Sequence, residues 1–128
     1  MRVFWLLLLL LTLAAPSQAQ RTTAHDGTYE GTRLQECQRT GRSGQTRIVA
    51  IIRNGNFSIP GLPGDPALEA VVGADGAVTL PSFGMFGPGT GQIFEGPNNA
   101  RRFTGSHPGR GQCQMVYDLR RNSTRVRN

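Results

Sequence analysis

Apolar and polar residues alternate with a period of two in several short stretches of this chain. Beyond its first residues, no stretch holds a helical period for three turns. The clearest alternation runs from Gln112 to Arg120, where Cys113, Met115, Tyr117 and Leu119 interleave with Gln112, Gln114, Val116 and Asp118. It predicts a strand with one buried face. Arg47 to Arg53 lies in "QTRIVAIIRN", whose β-branched residues favour extended backbone, with Ile48, Ala50 and Ile52 on one face. Asn54–Gly55 is a strong hairpin signal and leads into a strand from Asn56 to Ile59. Further strands are predicted over Thr28–Gln35, Leu68–Val72, Ala77–Leu80, Gln92–Glu95 and Arg101–Gly105, separated by Asp75–Gly76, "PSFGMFGPGTG" and "GPNN".

About eight short strands joined by tight turns predict an all-β domain. The favoured arrangement is a small antiparallel up-and-down barrel, because closing the sheet removes edges that would otherwise pair with other chains. The alternative is a two-sheet β-sandwich. The expected inward set includes Tyr29, Ile48, Phe57, Phe94, Phe103 and Tyr117. Its bulk predicts a filled interior, although eight strands can also hold one small ligand. In the first strand Tyr29 and Gly31 share a phase that Leu34 does not. A bulge or sharp bend near Gly31 would restore one inward face.

The opening "MRVFWLLLLLLTLAAPSQAQ" has one arginine, an apolar run to about Leu13 and small residues at Ser17 and Ala19. It reads as a signal helix cleaved after Ala19. The apolar run is short of the ~20 residues that span a bilayer, so no transmembrane anchor is expected after cleavage. The chain then divides into a signal peptide (1–19), a single all-β domain (20–121) and a disordered basic tail (122–128). Export to the periplasm or the cell exterior makes a disulfide, Cys37–Cys113, the simplest use of the two cysteines. Free redox thiols would more often be arranged as C-x-x-C. In the chain-entropy model so long a closed loop contributes roughly 4–5 kcal/mol. Such a bond would also pin the first and last strands, the edges that must meet to close a barrel.

All fourteen basic residues are arginines and the formal charge is +6. The charge is concentrated at the end of the chain: Arg120, Arg121, Arg125 and Arg127 follow the last acid, Asp118. The nine arginines from Arg21 to Arg110 face eight acids, so the body is nearly neutral. Nucleic acid is excluded as a partner, since binders show a clustered basic face with interleaved aromatics. The tail is either a solvated end or a tether to anionic envelope components.

Asp26, Gly27, Tyr29 and Gly31 form an aspartate–glycine–x–aromatic–x–glycine opening. Cys37, glycine-punctuated strands and a late Cys113, Tyr117, Leu119 and Arg121 follow. This layout resembles that of small exported bacterial proteins of unknown function. The resemblance covers Asp26 to Arg121 and implies an all-β barrel or sandwich without implying an activity. The proline-rich stretch from Pro60 to Pro66 departs from it.

Candidate chemistry is sparse. His25 and His107 are expected as exposed loop residues. Ser106 or Ser58 with His107 and Asp118 could compose a relay, but none lies in a nucleophile elbow, so no catalytic residue is assigned. Scattered acids and two histidines predict neither a metal site nor a cofactor. The best candidate surface is the glycine- and proline-rich loop Pro81–Gly91, with Phe83, Met85 and Phe86 either folded down as a lid or exposed to a partner. The leading expectation is an exported, non-enzymatic module that binds a small apolar ligand or a cell-envelope or protein partner. The alternatives are a small secreted hydrolase using His107 and a structural envelope protein.

Overall fold

The structure is a computed structural model that describes residues 22–38, 41–61, 66–110 and 112–122. The expected signal peptide (1–19), and all of the expected tail (122–128) except Asn122, lie outside these residues. Eight strands follow one another: β1 (Gly27–Cys37), β2 (Arg42–Arg53), β3 (Asn56–Ile59), β4 (Leu68–Val71), β5 (Ala77–Leu80), β6 (Gly89–Glu95), β7 (Arg101–Pro108) and β8 (Cys113–Arg121). They form a single antiparallel sheet in the order β4-β3-β2-β1-β8-β7-β6-β5. The order places the first and last strands side by side, which makes the sheet a nearly closed barrel and not a sandwich.

The β1–β8 pairing runs unbroken from Tyr29↔Arg121 to Cys37↔Cys113. The disulfide lies at the end of this ladder, with Cα atoms 4.0 Å apart. The remaining opening lies between β4 and β5, which touch at one bridge, Val72↔Val78, beside their turn. Gly73 N–H donates to the Ala77 carbonyl at 2.8 Å there. From that turn the two strands pair only with β3 and β6 respectively.

The interior is a continuous apolar core in which Tyr29, Phe57, Phe103, Leu80 and Leu119 have no exposed surface. Phe57 and Phe103 pack with ring centroids 4.8 Å apart. Small inward residues make room for these rings. A Cβ on Gly31 would run into the Asp118 carbonyl of β8, so only glycine allows the two backbones to approach this closely. The outer face is mixed: Thr79, Thr90 and Ser106 form one cross-strand polar row on β5, β6 and β7, while Val49, Ile51, Val71 and Phe94 are exposed elsewhere on it.

Three expectations are corrected. No bulge interrupts β1, because Gly27↔Ile52 to Cys37↔Arg42 is one continuous register. Leu34 therefore stays on the outer phase and Arg33 takes the inward one. Beyond Gly31 the strand leaves the core and borders the barrel mouth, where an arginine is tolerated. On β6, Phe94 is 53% exposed and Ile93, paired with Phe103, is buried in its place. The strand begins at Gly89, and its pairing with β7 sets the phase that the short apolar pair Ile93–Phe94 leaves ambiguous. Finally, both histidines are buried, His25 at 3% and His107 at 0% exposure.

Candidate functional site

The two ends of the barrel are built differently. At one end the chain reverses on Asn54–Gly55, Asp75–Gly76 and Pro97–Asn99. Asn54 and Gly55 have φ of 51° and 74°, the left-handed pair that a tight hairpin requires. The Asp26 carboxylate accepts from the backbone N–H of Asn54 at 2.8 Å and of Gly55 at 3.1 Å. The Tyr29 hydroxyl donates to the His25 carbonyl at 2.7 Å. Arg121 donates to the carbonyls of Asp26 and Asn99. This network accounts for the opening motif: Asp26 ties β1 to the β2–β3 turn, Tyr29 fills the core, and Gly31 admits β8. It seals this end of the barrel.

At the other end lies a chamber of about 250 Å³. Its apolar walls come from Ile48 of β2, Ile59 of β3, Leu68 of β4 and Phe83 of the β5–β6 loop, and Arg33 and Tyr117 also line it. Arg33 pairs with Thr46 on one side and Tyr117 on the other. Its guanidinium carbon sits 5.3 Å from the Phe83 ring centroid, within cation–π range. Burial pushes the Tyr117 hydroxyl up to about 12, and the Arg33 charge opposes that shift. The Tyr117 hydroxyl donates to Met115 Sδ at 3.4 Å.

The structure separates the three residues of the loop Pro81–Gly91 that the sequence singles out. Phe83 and Phe86 exchange backbone hydrogen bonds of 3.0 and 2.9 Å across Gly84–Met85, making a tight turn. The turn splits the predicted trio. Phe86 is 5% exposed and seats in the core, Phe83 is half-buried and walls the chamber, and Met85 projects at 63% exposure. Arg33 and Ile48 were not singled out as site residues. The signal for Arg33 was its phase: it shares the alternate positions of Tyr29 and Gly31, an inward register that holds an arginine.

The hydroxyl and acid partners considered for His107 are not brought to it. His107 faces inward, with Nδ1 2.9 Å from the Gly87 carbonyl and its ring edge-on to Tyr117 at 5.4 Å. Because a carbonyl only accepts, Nδ1 carries the proton and Nε2 presents a lone pair. Nε2 is buried and has no hydrogen-bond partner among the described residues. Burial lowers the His107 pKa from 6.5, the Gly87 hydrogen bond opposes this, and Arg33 adds to it. Ser106 follows the opposite phase and is exposed. Asp118 accepts from Arg102 at 2.9 and 2.7 Å on the outer face, which lowers its pKa. Glu30 and Glu36 do share the outer face of β1, where Glu30 lies 3.7 Å from Arg47 and Glu36 accepts from Gln114 at 3.0 Å. Among the described residues no three His, Cys, Asp or Glu side chains cluster as metal ligands would.

Fold and site together define a small, disulfide-tied, up-and-down β-barrel with one sealed end and one chambered end. Compared with known proteins, the chain matches no family model, no curated protein and no solved structure.

Proposed function

We propose that this protein is a non-enzymatic binding module that takes a small apolar molecule into the chamber at the barrel mouth. The observation that carries the proposal is the chamber itself, about 250 Å³ walled by Ile48, Ile59, Leu68 and Phe83 at the end of an otherwise filled core. Ligand sites are typically concave and mostly apolar, with a few placed polar groups. The module works outside the reducing cytoplasm, in the periplasm or beyond the cell. Support comes from the Cys37–Cys113 bond, which persists in oxidising compartments. Among the described residues no helix is long and apolar enough to cross a membrane.

The test is a titration of the oxidised protein with 1-octanol, followed by backbone NMR shifts. Shifts confined to Arg33, Ile48, Leu68, Phe83 and Tyr117, and abolished by Ile48→Trp, which fills the chamber, are the expected result. The absence of saturable shifts up to about 1 mM, the weak end of useful affinity, overturns the proposal. So does binding that Ile48→Trp leaves intact.

A further inference from the structure

We propose that the ligand of this chamber is a small amphipathic monocarboxylate whose head group is held by Arg33; this rests on the binding function proposed above and names the chemistry of its ligand. Three arginines have acidic partners: Arg47 with Glu30, Arg101 with Glu95 and Arg102 with Asp118. Arg53, Arg110 and Arg120, which have no acidic partner among the described residues either, are exposed, and Arg121 donates to backbone carbonyls; Arg33 differs from all of these. It is half-buried on the inward phase of β1, and among the described residues it has neither a hydrogen-bond nor an ion-pair partner. No described acidic residue lines the chamber. Phe83 holds the guanidinium at the chamber wall, 5.3 Å from its ring centroid. A guanidinium withdrawn from water without a counter-charge is unfavourable, and an anion arriving with the ligand would relieve this.

The chemistry of the head group follows from the charge balance. A guanidinium presents paired N–H donors that match a carboxylate or a phosphate in bidentate fashion. A phosphate monoester brings close to two negative charges. Among the described residues the chamber offers one cation without an ion-pair partner, because its other arginine, Arg47, is turned to solvent and faces Glu30 at 3.7 Å. A single carboxylate therefore fits, and apolar walls disfavour the uncompensated charge of a dianion. Size sets the rest. At about 250 Å³ the chamber lies below the ~300–1,000 Å³ of drug-sized sites, so the apolar part is a medium chain or a single ring.

Titrating the full oxidised chain near neutral pH with octanoate, 1-octanol and octyl phosphate separates the possibilities. Octanoate is expected to bind about ten- to a hundredfold more tightly than octanol, the range for a charge-assisted hydrogen-bonded pair. In Arg33→Gln, shown to be folded by its NMR spectrum, octanoate should fall to the octanol level while octanol is unchanged. Equal binding of octanoate and octanol, or equal loss of both in Arg33→Gln, overturns the assignment and leaves the apolar-ligand function standing. Tighter binding of octyl phosphate than of octanoate overturns the monocarboxylate. Failure of 1-octanol to bind saturably overturns the underlying function and, with it, this inference.

Discussion

The sealed end of the barrel turns on Asn54–Gly55, Asp75–Gly76 and Pro97–Asn99, and a side-chain-to-backbone network ties the first and last of these turns to β1 and β8, although His25 Nδ1 and Arg101 Nε are buried there without a hydrogen-bond partner among the described residues. The chambered end instead carries the longer stretch 81–88, the disulfide, and Arg33, which has no acidic partner among the described residues. Sealing is local: Asp26, Tyr29 and Arg121 reach backbone groups and close the gap between strand ends with hydrogen bonds. The mouth has no equivalent network among the described residues. There β1, β2 and β8 run past the core as a ribbon whose residues 43–47 are exposed, and a covalent bond holds the ribbon in place. An end left open for a ligand gives up contacts that would otherwise stabilise it. The Cys37–Cys113 link supplies order there without occupying the chamber.

Breaking that link has the largest expected effect. The bond joins residues 76 positions apart, and Cys37→Ser/Cys113→Ser should lose about 4 kcal/mol in urea unfolding relative to the oxidised protein. Hydrogen exchange should rise first in the ribbon, at residues 33–37 and 43–47, while amides near Asn54–Gly55 change only with global unfolding. Equal loss of protection at both ends would contradict the division between them. The next effect separates two neighbours in one turn. Phe86→Ala removes a ring seated in the core and should cost about 3 kcal/mol. Met85→Ser, at a site 63% exposed, should stay within about 0.5 kcal/mol. Similar losses in the two would mean that the turn does not seat Phe86 as described.

The legibility of the sequence follows the same division. The barrel was readable because strand phases, the Asn54–Gly55 turn and the two cysteines each constrain pairing locally, and together they leave one closed order. Asn56–Ile59 and Ala77–Leu80 match their predicted bounds, since a turn or a break flanks each. The sealed end was legible as a motif, although the use of Asp26 as a cap for a turn far away in sequence required the fold. The mouth was harder. Phe83, which lines the chamber, stands out in the sequence as an aromatic residue in a glycine-rich loop. Arg33 does not stand out in the sequence, because an inward arginine conflicts with simple alternation and a bulge or bend that brings Leu34 inward would turn Arg33 outward. Both histidines were misplaced for a related reason: residues beside turns are usually solvated, but His107 lies in the last inward position of a strand longer than its apolar pattern showed.

A smaller effect probes the sealed end alone. Asp26→Ala removes the acceptor of two backbone N–H groups and should destabilise the fold by about 1–2 kcal/mol, reflecting a partly exposed charged acceptor. Octanoate affinity should be unaltered in the folded fraction, because the turn it supports lies at the opposite end from the chamber. A change in affinity matching the change in stability would couple the two ends and erase the distinction between them.

The smallest expected effect is a pH dependence to which each end contributes separately. Burial lowers the pKa of His25 at the sealed end, with the Arg101 charge adding to the shift. Burial likewise lowers that of His107 near the mouth. The folded state therefore binds fewer protons than the unfolded chain once pH drops below the ordinary histidine value of 6.5. Stability is lost as pH falls from that value, and the loss levels off below the folded pKa values. Asp118 acts in a separate, more acidic window: Arg102 lowers its pKa, so its contribution is present above 3.8 and disappears as pH falls through its folded value. Urea midpoints at about pH 7.5 and about pH 5 isolate the histidines, since only their window lies between. The wild type should be less stable at the lower pH. His25→Gln and His107→Gln should each remove part of the difference, and the double variant nearly all of it, because sites at opposite ends titrate independently. Equal wild-type midpoints at the two pH values would mean that neither imidazole is held neutral by its burial. Complete loss of the dependence in one single variant would assign it to one end.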